Sequence, residues 1–305
     1  MTQLCESVLK VIAYFDMFHY PITMEEIHQF LDKPLSDGEL QMAVRQLLNK
    51  QAIWQLDRFY SLRNDQHLAE RRIKGNKLAV RELKYATKIA RIIFRYPFVR
   101  GIAISGSLSK NFAYEDSDFD FFIITAPNRL WIARVFLLMT ARILFTIGLR
   151  RICCLNYYID EKALEIEERN IFTAVEIVTL LPVQGNECFR RFFGANQWTG
   201  KYLPNSGYRR MQGREPVFLP LKRCIEWLMD NRFGSSVDNY LMKLFRRHWD
   251  KLLLRNKLAK DGVPMGAVMS GKHMCKPDSR YFQQKMLNNY REKLADVKAR
   301  YPKTV

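Results

Sequence analysis

The residues able to do chemistry crowd into one stretch, GSLSKNFAYEDSDFDFFIIT, residues 106–125. It follows an apolar run, Val99 to Ser105, suited to a buried strand, and it opens on Gly106-Ser107. A glycine lets a ligand come close to the backbone, and free amides at a helix start attract phosphate. Ser107 adds a hydroxyl donor and Lys110 a mobile positive charge. After ten intervening residues, Asp118 and Asp120 flank Phe119 at the head of a second apolar strand. Side chains alternate along a strand, so Asp118, Asp120, Phe122 and Ile124 share one face, with the two acids roughly 6 to 7 Å apart at their backbones. That spacing suits one hard cation held jointly, or two cations about 3.5 to 4 Å apart. Unpaired, the acids would repel and lose hydration; a divalent metal removes that penalty. Phosphate donors beside an acid pair are what phosphoryl or nucleotidyl transfer requires.

Hydrophobic strand, Gly-Ser, ten residues, Asp-x-Asp and hydrophobic strand, in that order, resemble the signature of the DNA polymerase β-like nucleotidyltransferase superfamily. The motif covers about 20 residues, and a compatible element order extends over residues 98–160. The resemblance implies a magnesium-dependent enzyme that moves a nucleoside monophosphate from a nucleoside triphosphate to a hydroxyl acceptor, a small molecule, a protein side chain or an RNA end. It assigns Gly106 and Ser107 to the triphosphate, with Lys110 beside the leaving pyrophosphate, and Asp118 and Asp120 to Mg2+. The superfamily takes a third carboxylate from a later strand. Here CCLNYYID, residues 153–160, is that strand; by parity Asn156, Tyr158 and Asp160 share a face. Asn156 stands where the family has its acid, so Asp160 is the expected third ligand or base. Otherwise Glu176, on the following helix NIFTAVEIVTLL, or the acceptor's own deprotonation fills the role. The alternative is a non-catalytic nucleotide sensor or a DNA- or protein-binding module.

The elements that must position these groups follow from periodicity. Residues 1–65 read as three helices and a hairpin: an apolar stripe over residues 3–18 broken by Pro21, MEEIHQFL capped by Thr23, and GELQMAVRQLLNKQ with a Ser36/Glu39 capping box. AIWQLDRFYSL then alternates around Asp57-Arg58 like a strand pair. This order resembles a winged-helix domain. Its third helix offers only Arg45 and Lys50 to a phosphate backbone, which argues against DNA binding and for a structural or protein-contact role. Residues 66–97 read as a basic connecting helix, residues 98–200 as the core that the resemblance implies to be a nucleotidyltransferase core, and residues 201–305 as a basic helical region. The expected fold class is therefore α+β, a mixed sheet with a winged-helix-like unit before it and helices after it. DGVPMGAVMSGKHMCKP, residues 261–277, reads as a mobile loop, and His273 within it takes no assigned role.

The 305 residues suffice for two or three packed units, and their net charge of +18 is uneven. Residues 1–65 are net −3, residues 66–200 net +7 and residues 201–305 net +14, which places polyanionic partners on the middle and C-terminal parts. The six cysteines form no C-x-x-C pair and no regular spacing with the histidines, which leaves zinc and disulfide frameworks unsupported. With no basic head and apolar core at the N-terminus, that pattern points to a reducing cytoplasm. WIARVFLLMTARILFTIGL, residues 131–149, has the length of a membrane span, but Arg134 and Arg142 inside it are costly at mid-bilayer and mark a buried helix instead.

Overall fold

The computed structural model describes residues 2–115, 118–146, 153–209, 219–255, 268–277 and 280–300. The first helix, α1 (Gln3–Asp16), starts where the Thr2 side chain accepts the Cys5 N–H. Reciprocal capping boxes, Thr23 with Glu26 and Ser36 with Glu39, start α2 (Met24–Gln29) and α3 (Asp37–Asn49). The hairpin of β1 (Trp54–Leu56) and β2 (Phe59–Ser61) turns at Asp57 in the left-handed region, φ 53°. The connecting helix is α4 (Gln66–Ile93). Arg72 fastens it to the N-terminal unit: its guanidinium lies 3.5 Å from the Tyr20 ring centroid, donates to the Pro21 carbonyl at 2.8 Å and meets Glu26 at 2.6 Å. At 2 % exposure this cation is buried and fully engaged.

Beyond α4 the chain builds a six-stranded sheet. In sequence order come β3 (Val99–Ile104), α5 (Gly106–Ser109), β4 (Phe119–Thr125), α6 (Leu130–Thr146), β5 (Cys153–Asp160), α7 (Ile171–Thr179), β6 (Leu181–Gln184), α8 (Asn186–Ala195) and a 3-10 turn at Gln197–Lys201. They are followed by α9 (Pro220–Met229), α10 (Arg232–Arg255), β7 (Val268–Ser270), β8 (Met274–Pro277) and α11 (Arg280–Arg300). The strand order is β6-β3-β4-β5-β8-β7, with β4 and β5 parallel and the other neighbours antiparallel. The class is α+β with a mixed sheet.

One sequence expectation changes here. Within the segment expected as a mobile loop, residues 268–277 form the β7–β8 hairpin on the edge of β5, with Tyr158 opposite Cys275 and Ile159 opposite Met274. The glycine that reads as a breaker serves the turn: the Gly271 N–H donates to the Met274 carbonyl at 2.8 Å. Gly234 lies in the first turn of α10. A Cβ there would fall 1.8 Å from the Met229 carbonyl oxygen, so the glycine permits close approach of α9 to α10.

The sheet is covered on both faces, and strand parity decides which residue meets which layer. Phe122 and Ile124 of β4 face α7, α8 and the N-terminal helices, in one cluster running from Val8, Leu9 and Ile12 to Phe189 and Phe192. Phe119, Phe121 and Ile123 face α4 and α6. There Trp131 of α6 stacks on Phe245 of α10 at 5.7 Å and meets Trp249 at 5.9 Å. The apolar run expected as a buried helix is α6, whose Trp131, Ala133 and Leu137 are buried; residues 147–149 of that run lie outside the described residues. Arg134 is held against the rings of Tyr158 and Trp249, 5.0 and 5.3 Å from their centroids. Among the described residues no helix is long and apolar enough to cross a membrane.

Candidate functional site

The bend after β3 is built around one close approach. Ser105 donates its N–H to the Asp120 carbonyl at 2.9 Å, and the chain then turns at Gly106 with φ +67°. Asp120 Oδ2 lies 2.3 Å from where a Cβ on Gly106 would sit. Only glycine satisfies both the backbone angle and the contact. Past the single turn of α5, the Lys110 ammonium returns to the Gly106 carbonyl at 3.1 Å and pairs with Glu176 of α7 at 2.9 Å. Tyr20 donates its hydroxyl to the Lys110 carbonyl at 2.6 Å, which ties the N-terminal unit to this corner.

Gly106, Ser107, Lys110, Asp120 and Glu176 line one cavity of about 670 Å3. Burial pushes the Asp120 carboxyl above its usual range, and the charges of Glu176 and then Asp118 push it further, with Lys110 opposing. Among the described residues the Asp120 carboxylate accepts no hydrogen bond. Asp118 precedes β4, is exposed and lies outside the cavity lining, although its charge reaches Asp120. The two acids therefore differ in environment, one half-buried against the glycine bend and one at the solvent edge. Among the described residues no group of three or more His, Cys, Asp and Glu side chains is assembled as a metal site. The donors present are nevertheless carboxylate oxygens of the kind magnesium takes, and Mg2+ commonly uses only one or two carboxylates together with substrate phosphates.

Asp160, expected as the third acid, is not brought to this cavity. A bulge explains why: Asp120 lies opposite Cys154 but Phe122 lies opposite Tyr157, so β5 takes in one extra residue between the two pairs. Beyond it the parity inverts. Tyr158 faces Ile123 and Asp160 faces Thr125, on the opposite side of the sheet from Asp120 and five residues further along, about 16 Å at strand rise. Asp160 is fully buried and organises loops. Its Oδ1 accepts the Lys162 N–H at 2.9 Å, and its Oδ2 accepts the Asn128 N–H at 2.8 Å and lies 2.8 Å from His273 Nδ1. Asn156 is in β5, and its side chain lies outside the described residues. Of the open candidates, Glu176 is the one at the cavity. Arg129 is a junction residue, bonded to the Met229 carbonyl and Ser235 of the α9–α10 corner.

Sequence reasoning missed the far wall. Tyr14, Phe15, Phe18, His19 and Tyr20, from the end of α1 and the turn after it, line the same cavity together with Arg71, Phe112, Tyr114 and Phe172. Residues 14–20 carry more large rings than one buried helix stripe needs, and that excess was the available signal.

No protein-family model matches the chain, and neither a curated protein nor a solved structure gives a significant match.

Proposed function

We propose that this chain is a magnesium-dependent nucleotidyltransferase of the DNA polymerase β-like kind, with a winged-helix-like N-terminal unit that walls the active site instead of reading DNA. The observation that carries the reading is the convergence of the Gly106-Ser107 bend, the Lys110 cation and the Asp120 and Glu176 carboxylates on one cavity. Each half of the sequence motif thus meets the other at a concave surface of substrate size.

The roles follow from the local chemistry. Gly106, without a side chain, lets a triphosphate approach the backbone, and Ser107 offers its hydroxyl to a phosphate oxygen. Lys110 supplies positive charge where pyrophosphate departs. Asp118 and Asp120 would hold Mg2+ together with the triphosphate oxygens, and the ion when bound neutralises phosphate charge and lowers the pKa of the acceptor hydroxyl. The acceptor oxygen forms its bond to the α-phosphorus as the bond to the pyrophosphate oxygen breaks. Glu176, 2.9 Å from the Lys110 ammonium, is the carboxylate we assign to receive the acceptor proton. The surface of α3 supports the wall role: Gln41, Met42, Arg45, Gln46 and Asn49 are exposed there, a face with one cation.

The test is incubation of the protein with α-labelled nucleoside triphosphates, Mg2+ and a cell extract. Label on a macromolecule or metabolite, lost by at least about a hundredfold in Asp120→Asn, is the expected result. Label transfer equal in the variant and wild type overturns the assignment. Triphosphate binding without any transfer selects the sensor reading, which the lack of an assembled three-acid metal set among the described residues favours.

A further inference from the structure

Resting on that reading, we infer that the aromatic wall from the N-terminal unit and the segment after α5 receives the nucleobase by stacking, and accepts all four bases with purines held tightest. Beside the acid and phosphate residues, the lining of the cavity is dominated by rings. Phe18 and Tyr114 are 37 % and 52 % exposed beside a substrate-sized space. Around them the polar groups of the wall are already engaged. Tyr20 gives its hydroxyl to the Lys110 carbonyl. Arg71 donates to the His19 carbonyl at 2.8 Å and to the Tyr114 hydroxyl. The same guanidinium lies over the Phe112 and Tyr114 rings, 5.3 and 5.2 Å from their centroids, which fixes Tyr114 in place. Burial and then the Glu176 charge hold the pKa of the Tyr14 hydroxyl well above the ordinary phenol value.

What such a wall offers a ligand is the flat face of a ring. Discrimination among bases needs donors and acceptors aimed at their edges, whereas stacking is available to every base because each has a π-face. Of the side chains here, the His19 imidazole is the remaining edge group, on an exposed residue. Ring capture thus falls to the N-terminal unit with the segment after α5, and phosphate capture to the bend between β3 and α5.

The experiment is calorimetric titration of the full chain with the magnesium complexes of ATP, GTP, CTP and UTP and of inorganic tripolyphosphate, on wild type, Phe18→Ala and Tyr114→Ala. Both substitutions are at exposed rings, and circular dichroism checks that each variant is folded. Expected are tighter binding of every nucleotide than of tripolyphosphate, purines ahead of pyrimidines by less than about tenfold, and a loss of about tenfold per variant for nucleotides with tripolyphosphate unchanged. Nucleotides that bind no better than tripolyphosphate, or that ignore both substitutions, overturn the stacking inference while leaving the nucleotidyltransferase reading intact. A preference for one base above about a hundredfold overturns base tolerance. If wild type binds neither tripolyphosphate nor any nucleotide, the functional reading fails and the inference falls with it.

Discussion

Two groups of carboxylates, one half-buried and one buried, sit at opposite ends and on opposite faces of the β4–β5 ladder, and they differ in what their oxygens meet. At one end Asp120 rests against Gly106, faces a cavity and shares it with the charge of Glu176. At the other, Asp160 has both oxygens bonded to backbone N–H groups and His273, and Asp238 of α10 accepts the Trp131 and Ile132 N–H groups at the start of α6, each at 2.9 Å. Burial is deeper in the second group, so depth of burial does not mark function. Saturation does: a carboxylate with its lone pairs committed to the protein is part of the scaffold, and one left uncommitted beside a like charge and an open cavity is available to a ligand.

The comparison breaks first at Asp160. Asp160→Ala strips the acceptors from the Asn128 and Lys162 N–H groups and leaves His273 without its partner, so unfolding stability falls by about 3 kcal/mol in urea titration. Tripolyphosphate affinity stays within about twofold in the folded variant. A variant as stable as wild type, or one that loses phosphate binding, would return Asp160 to the functional group.

How much of this contrast was legible in the sequence depends on the residue. The Gly106 bend and the position of Asp120 followed from the glycine, the apolar run before it and strand alternation, because these are local constraints. The Thr23 cap of α2 and the Ser36/Glu39 capping box of α3 were legible for the same reason. Asp160 was misplaced because one bulge in β5 inverts parity, and nothing local in CCLNYYID marks the extra residue. The β7–β8 hairpin was read as loop because its strands form only against the edge of β5. The aromatic wall is a tertiary product too: rings from residues 14–20 and 112–114 meet only once α1 has packed across the sheet.

The next effect in size concerns Asp238, whose carboxyl burial pushes up to about 6, with Asp160 adding to the rise and Arg129 opposing it. The folded state thus keeps a proton between about pH 4 and 6 that the unfolded chain releases. Stability is greatest below that window and falls as pH rises through it. Asp238→Asn keeps an oxygen for the two α6 N–H groups and removes the titration, so its stability relative to wild type rises across the window to a gain of about 2 kcal/mol at pH 7. Thermal melts from pH 4 to 7 check this, and parallel curves for the two proteins would show that Asp238 ionises freely in the fold.

A smaller loss is expected at the bend. Gly106→Ala introduces a Cβ at positive φ and against Asp120 Oδ2, so Asp120 must move; stability falls by about 1 to 2 kcal/mol, and phosphate affinity falls with it. Tripolyphosphate titration of this variant, compared with urea unfolding, separates the two losses. An unchanged affinity would detach Gly106 from the site.

The smallest stability effect is the sharpest for the comparison. Asp120→Asn replaces a half-buried carboxylate, whose charged form burial and its acidic neighbours disfavour, by a neutral group of the same shape. Since no described residue depends on that carboxylate as an acceptor, the substitution is expected to leave stability unchanged or raise it by up to about 1 kcal/mol at pH 7. The same change removes an anionic ligand from the cavity and is expected to abolish transfer. A residue whose loss strengthens the fold while ending the chemistry is maintained against the interest of stability, which is the thermodynamic signature of a functional group. Urea unfolding at pH 7 tests it directly: a loss of about 2 kcal/mol or more would put Asp120 with Asp160 among the scaffold acids, and the contrast between the two ends of the ladder would vanish.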